Sequence, residues 1–214
     1  MAESGGRPLR RDARSNRDKL LVSAAKVFAE RGIAAPMNDI AVAANVGVGT
    51  VYRHFSSKDA LLEEVFRLRI ISFERLAIAA SHRSAWEGLS ELIRQTLGIF
   101  AEDRGLYEYL FSRGVSAGSF EAMLSGLVPR VRELVDRARR EGSIGDEVSE
   151  TDFAPLVVML AQLAHTDPRD GPHLAMRYAE IMLRGVAHIG GPSIHPGPPS
   201  RQTVARWLGE LGSH

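Results

Sequence analysis

The chain contains no cysteine among its 214 residues. Disulfides, thiolate nucleophiles and cysteine-ligated zinc are therefore excluded. No apolar run approaches the ~20 residues that a membrane helix needs. The opening stretch MAESGGRPLRRDARSNRDK has no apolar core of the signal-peptide kind, so a cytoplasmic protein is expected, without a membrane partner. Strand-like alternation never persists, and there is no internal repeat. Apart from His54, the histidines (His82, His165, His173, His188, His195 and His214) are scattered, with no His-x-x-x-His spacing and no paired carboxylates at ligand distance. No metal site, cofactor or catalytic constellation is expected.

What is present is an ordinary globular composition, 44% hydrophobic and 25% charged, on a chain long enough for a real core. The formal net charge is only +1, but it is unevenly spread: residues 1–58 hold 10 Lys/Arg against 5 Asp/Glu, and residues 59–214 hold 17 against 21. A basic first quarter points to an anionic partner for that part.

Helical periodicity dominates. Leu20, Leu21, Ala24, Val27, Phe28 and Arg31 follow the spacing of one amphipathic helix ended by Gly32. A short helix is predicted from Asp39 to Ala44, with Pro36 in its first turn. Asn45-Val46-Gly47 breaks it, Asn and Gly both tolerating the left-handed conformation of a sharp turn. Thr50 to Phe55 forms a second short helix, and Ser57 caps a long one running to about residue 80. Further helices are predicted at about 85–102, 104–113, 119–141, 152–165 and 173–188. Pro129 is expected to kink or split the third of these, and Ser149 with Asp152 is spaced as a capping box at the fourth. Residues 190–200, GGPSIHPGPPS, read as a linker. Val204, Trp207, Leu208 and Leu211 share one face of a last small helix that docks back on the body.

The fold class that follows is all-α: an N-terminal three-helix helix-turn-helix head and a larger C-terminal helical body. The predicted boundaries are a basic, disordered arm at 1–16, the head at 17–60, the body at 61–190, and a linker with a short helix at 191–214.

Residues 48–55 decide the function. At about 100° per residue, Val48, Val51 and Phe55 fall within about 60° of one another and form an apolar stripe. Thr50 and Arg53 point the opposite way, with Tyr52 and His54 on the flanks. The exposed side is thus built of hydrogen-bonding side chains, and Gly49 lets it approach a partner closely. Such a helix fits the DNA major groove, with Thr50 and Arg53 toward base edges and Tyr52 and His54 toward phosphates. Lys58, a cation at a helix start, is disfavoured by the macrodipole unless a phosphate lies there.

The stretch GIAAPMNDIAVAANVGVGTVYRHFSSKDALLEEV resembles the DNA-binding head of the TetR family of bacterial transcriptional regulators. The residues carrying the resemblance are Ile40-Ala41, Ala44-Asn45-Val46, Gly49-Thr50, Tyr52, His54-Phe55, Lys58 and Leu61, and it covers roughly residues 17–65. Asn45 stands where the family usually has Gly, and Ala35 where many members carry a Thr cap. The resemblance implies base and phosphate contacts from Thr50, Tyr52, Arg53, His54 and Lys58, with Val48 and Gly49 in the same interface and Asn38 contributing from the second helix. Arg7, Arg10, Arg11 and Arg14 are either an arm reaching the DNA or a disordered basic tail.

The resemblance further implies a homodimer joined by the helices at about 152–165 and 173–188. Leu156, Val157, Leu160, Leu163, Leu174, Tyr178, Ile181, Met182 and Gly185 supply their apolar stripes. It implies a body cavity for an unknown small-molecule effector, with Phe100, Tyr107, Phe111, Phe120, Met123, Met159, Gln162 and His165 as candidate lining. The helix at about 57–80 would move to carry the signal. The expected function is a repressor released from a palindromic double-stranded DNA operator by that effector, not an enzyme. Two other readings stand beside it. One is an architectural DNA-binding protein without an effector. The other is a hydrolase using Ser116, since Gly114 to Gly118 fits Gly-x-Ser-x-Gly; that chemistry needs a preceding strand where LYEYLFSR reads as helix.

Overall fold

Among the described residues the chain forms helices α1 (Pro8–Arg31), α2 (Met37–Ala43), α3 (Val48–His54), α4 (Lys58–Ala80), α5 (Ala85–Glu102), α6 (Arg104–Phe111), α7 (Ala117–Arg140), α8 (Glu150–Ala164), α9 (Gly171–Val186) and α10 (Arg201–Leu211), and no strand. The computed structural model describes residues 8–81, 83–111, 117–167, 169–187 and 196–211, and the side chains of all of these except 8–15, 111, 117–125, 205 and 208–211. The fold is all-α, with a three-helix head (α1–α3) on a larger helical body.

The head closes around the apolar face of α1. Leu20, Ala24 and Phe28 are buried with Ile40 of α2 and Val51 of α3. Ser57 caps α4 as its spacing predicts, its Oγ accepting the Ala60 N–H at 3.1 Å. From Lys58, α4 runs out of the head into the body, and Phe66 joins the two. Its ring lies 6.2 Å from Phe28 of α1 and stacks on Tyr109 of α6 at 4.4 Å. Burying a phenylalanine contributes roughly 1.5–3 kcal/mol, so this junction is a true core. Gly105 lets α6 lie directly on α1; a Cβ there would stand 2.6 Å from the Phe28 carbonyl oxygen.

Deeper in the body α5 is buried on most sides, and Phe73 of α4 packs on Phe100 at 5.5 Å. The predicted capping box at α8 is present: the Ser149 N–H donates to Asp152 Oδ2 at 2.8 Å and the Thr151 N–H to Ser149 Oγ at 3.4 Å. The helix α10 returns to α8, with Val204 buried, Trp207 half-buried, and Arg201 Nε 3.0 Å from Glu150 Oε1. Leu208 and Leu211 fall outside the described side chains.

Several expectations are corrected. Residues 8–16, placed in the arm by the sequence, lie within helix α1. Pro8 suits a first helical turn, and the Arg, Leu, Asp and Ala that follow contain no breaker. Pro36 stands at the N-cap of α2, one residue before the helix, in extended conformation and without a side-chain cap. Of the kink or split expected at Pro129, the split does not occur: α7 continues through it. Pro129 is exposed, so water can serve the carbonyl that its missing N–H leaves unpaired. The Gly-x-Ser-x-Gly stretch is preceded by helix α6 and overlaps the start of α7, and Ser116 lies outside the described residues.

Candidate nucleic-acid interface

The turn between α2 and α3 is set by Asn45, whose φ of 56° places it in the left-handed region. Two hydrogen bonds close it: Asn45 N–H to Val42 O at 3.0 Å and Val46 N–H to Ala41 O at 2.9 Å. This is the Schellman pattern, with Asn in the place usually taken by Gly. It satisfies the last carbonyls of α2 and turns the chain sharply into α3. A second tie, Arg31 Nη1 to Asp39 Oδ2 at 2.7 Å, holds the start of α2 to the end of α1.

On α3, Val51 is fully buried and Phe55, just past its end, is 3% exposed. Thr50 and His54 are half-buried and Arg53 is exposed, while Tyr52 is 52% exposed. The polar face predicted for this helix therefore points outward as one surface. Gly49 belongs to it, and a Cβ at that position would meet nothing within 4 Å. Asn38 is exposed in the first turn of α2, and Lys58 is half-buried at the first position of α4. Val48 departs from the predicted apolar stripe, since it is 40% exposed. It starts a two-turn helix, and burial begins only one turn further in, at Val51. This places Val48 with the outward-facing residues. Of the predicted arm, Arg10, Arg11 and Arg14 lie on the first turns of α1, and Arg7 is outside the described residues.

Two residues that sequence reasoning missed tie the head to the helices that follow it. Arg17 of α1 donates from Nη1 to the His54 carbonyl at 3.0 Å, lies 4.4 Å over the Phe55 ring, and pairs with Glu64 of α4. Glu108 of α6 accepts the Ile33 N–H at 2.9 Å, just beyond α1. Neither leaves a local signal, because their partners are remote in the sequence.

In the body the structure brings together three of the predicted effector residues. The Phe100 side chain is buried, its carbonyl oxygen lies 2.7 Å from His165 Nε2, and the His165 ring packs 4.4 Å from Tyr107. Asp103, missed by the sequence reading, is 6% exposed beside them. Its Oδ1 accepts the Leu106 N–H at 2.9 Å, and its Oδ2 lies 3.4 Å from Arg69 Nε. Burial pushes its carboxyl up from the usual range, opposed by the Leu106 N–H, Arg69 and His165. Burial likewise raises the Tyr107 phenol, helped by Glu108.

Met159 and Gln162 are corrected: both are exposed on α8 and line no interior space. A helix apolar over most of its surface does not announce which side meets the core. The side chains of Phe111, Phe120 and Met123 lie outside the described residues. A recess of about 10 Å³ between α5, α8 and α9, lined by Ile93, Phe153, Val157, Met182 and Val186 among others, has room for about one water. On the α8–α9 pair, Leu160 is core, while Leu156, Val157, Leu163 and Met182 are half-buried. Leu174, Tyr178 and Ile181 face outward, 40–50% exposed, beside the exposed Gly185.

Residues 20–65, the end of α1 through the first turns of α4, match the model of the "Bacterial regulatory proteins, tetR family". Over 54 residues the chain is 48% identical to the HTH-type transcriptional repressor KstR2 of Mycolicibacterium smegmatis, a match covering 25% of this chain. It spans about a quarter (26%) of that curated relative's length. Whole-fold likeness extends much further. A TetR transcriptional regulator of Streptomyces coelicolor is 26% identical with a TM-score of 0.61, covering 81% of this chain and 99% of that one. A TetR transcription regulatory protein of Mycobacterium vanbaalenii is 27% identical with a TM-score of 0.59, covering 85% and 100% respectively. The chain thus joins a head sequence that matches the tetR-family model to a fold similar to that of these regulators along nearly their full length.

Proposed function

We propose that the chain is a cytoplasmic, homodimeric transcriptional repressor that holds a palindromic DNA operator and releases it when a small molecule enters the body. The observation that carries the DNA reading is the division of α3: Val51 and Phe55 are buried, while Gly49, Tyr52 and Arg53 face outward. Arg53 and Thr50 take base edges. Tyr52, His54 and Lys58 take phosphates, with Asn38 reaching the backbone from α2 and Val48 beside the groove. The name of the KstR2 relative, a transcriptional repressor, supports repression as the sign of control.

One short recognition helix reads few base pairs, so two copies are needed, their half-sites about 34–36 Å apart. The outward Leu174, Tyr178 and Ile181 on α9, with Met159 on α8, support self-association through these two helices. Residues 17–60 act as the reader and residues 61–190 as the sensing and pairing unit. Phe100, Tyr107 and His165 form the polar and aromatic group against which an effector docks. Binding there favours a dimer whose heads no longer match two successive grooves.

Selection of duplexes from a random-sequence pool by the full chain tests the reading, with light scattering for the oligomer. The expected result is one enriched inverted repeat bound by a dimer. Binding across salt concentrations then separates the roles: Lys58→Ala weakens all duplexes and lowers the salt slope by about one unit, whereas Arg53→Ala changes base preference. A pool that enriches nothing, or a monomer at micromolar concentration that binds no duplex, refutes the proposal.

A further inference from the structure

We propose that Arg17 is a positioning residue for the recognition helix, clamping the end of α3 to α1 and α4 without itself contacting DNA. The inference rests on the DNA-binding reading of α3 and adds what fixes that helix in its working orientation.

With seven residues, α3 is too short to hold its shape or direction alone, so tertiary contacts set both. Val51 and Phe55 anchor its apolar side. Its far end poses a separate problem, because Phe55 turns extended and the last carbonyls of the helix lose their intrahelical partners. Arg17 answers this with three parts of one planar group. Its Nη1 donates to the His54 carbonyl at 3.0 Å, its face lies 4.4 Å from the centre of the Phe55 ring, and its Nη2 pairs with the Glu64 carboxylate. A cation at a helix C-terminus is also favoured by the macrodipole. Lysine has no planar fork and cannot make all three contacts together.

Glu64 lies in the second turn of α4, the helix that continues into the body. The hold on α3 therefore depends on where α4 stands. The pairing also neutralises Arg17, whose side chain is only 35% exposed, so this arginine is not a spare cation for phosphate. An isolated, partly exposed ion pair is worth little in stability. Its weight here is in orientation: the same guanidinium that meets Glu64 also holds His54, the last residue of the reading face.

The test uses Glu64→Ala and Arg17→Lys in the full chain. Binding is measured to the duplex that the wild type enriches from a random pool and to a scrambled duplex, at several salt concentrations. Hydrogen exchange of residues 48–55 is followed alongside. Glu64→Ala removes a negative charge beside the head, so simple electrostatics predicts tighter binding to any DNA. The clamp predicts the opposite for the enriched duplex, a loss of about tenfold, of the size that one charge-assisted contact supplies. It also predicts an unchanged salt slope, undiminished binding to the scrambled duplex, and faster exchange across 48–55 with α8 and α9 unaffected. Arg17→Lys gives the same pattern. The clamp is overturned if Glu64→Ala binds the enriched duplex as tightly as wild type, or if protection of 48–55 stays the same. A salt slope lowered by about one unit in a charge-removing Arg17→Gln variant also overturns it, because that makes Arg17 a phosphate contact. Should the wild type enrich no duplex at all, the DNA reading has failed, and exchange across 48–55 decides the clamp by itself.

Discussion

Glu108 of α6 accepts a hydrogen bond from the Ile33 N–H at 2.9 Å, and this links the body to the loop that follows α1. The same carboxylate receives Arg104 Nε at 2.6 Å, one turn back on α6. One side chain thus supplies the acceptor for a partly buried backbone donor of the head. Glu108→Ala leaves that N–H unsatisfied and is expected to cost about 1–2 kcal/mol, whereas Glu108→Gln keeps an acceptor oxygen and costs less. Urea unfolding midpoints at constant slope measure both. Equal midpoints for wild type and Glu108→Ala would show that water replaces the carboxylate without cost.

Asn45 gives a second expected outcome. At φ 56° a β-branched residue is strained, and Asn45→Val is expected to lose ~1–2 kcal/mol. Asn45→Gly is expected to keep or slightly raise stability. Because the turn sets the angle between α2 and α3, DNA affinity falls in the Val variant by more than its loss of folded protein. Thermal melts beside duplex titrations check this. Full affinity in a destabilised Asn45→Val would separate the turn from the reading geometry.

These residues mark what was legible in advance and what was not. Asn45, Ser57 and the Ser149–Asp152 box speak through neighbours three residues away or fewer, so their roles stand in the sequence itself. The outward polar side of α3, with Val51 and Phe55 turned inward, was legible in the same local way. Arg17, Glu108 and Asp103 act on partners 37, 75 and 34 positions distant, and no periodicity encodes such a meeting. Met159 and Gln162 failed for a related reason: α8 is apolar over a wide arc, and only packing tells its inner side from its outer side. The start of α1 is charged like a tail, yet no breaker follows Pro8, and the helix begins there.

Gly49 separates stability from function most cleanly. Space is open where its Cβ would stand, so Gly49→Ala meets no clash within the chain. Alanine in a helix is better than glycine by ~0.5–1 kcal/mol, so the melting temperature is expected to rise by a few degrees. On the proposed reading the added methyl would face the groove, and binding to the enriched duplex is expected to weaken about tenfold, a loss of ~1.4 kcal/mol. A variant that is both more stable and equally tight would remove the close-approach role from this glycine.

Asp103 makes stability depend on pH, with a sign that follows from its burial. Its carboxyl is held above the ordinary 3.8, mainly by desolvation, against the pull of the Leu106 N–H, Arg69 and His165. A group whose value is raised on folding binds its proton more tightly in the folded chain. Its contribution to stability is complete below the ordinary carboxylate range and is lost as pH rises through the raised folded value. Above that raised value the ionised Asp103 therefore weakens the start of α6, the helix that carries Tyr107 and Glu108. Asp103→Asn keeps an oxygen for the Leu106 N–H and carries no charge. It is expected to melt above wild type at alkaline pH, with the gap closing as pH falls through the raised folded value of Asp103 toward the ordinary carboxylate range. If instead Asp103→Asn melts lower at alkaline pH, the contact with Arg69 outweighs burial, and the junction of α4, α5 and α6 is held by that ion pair.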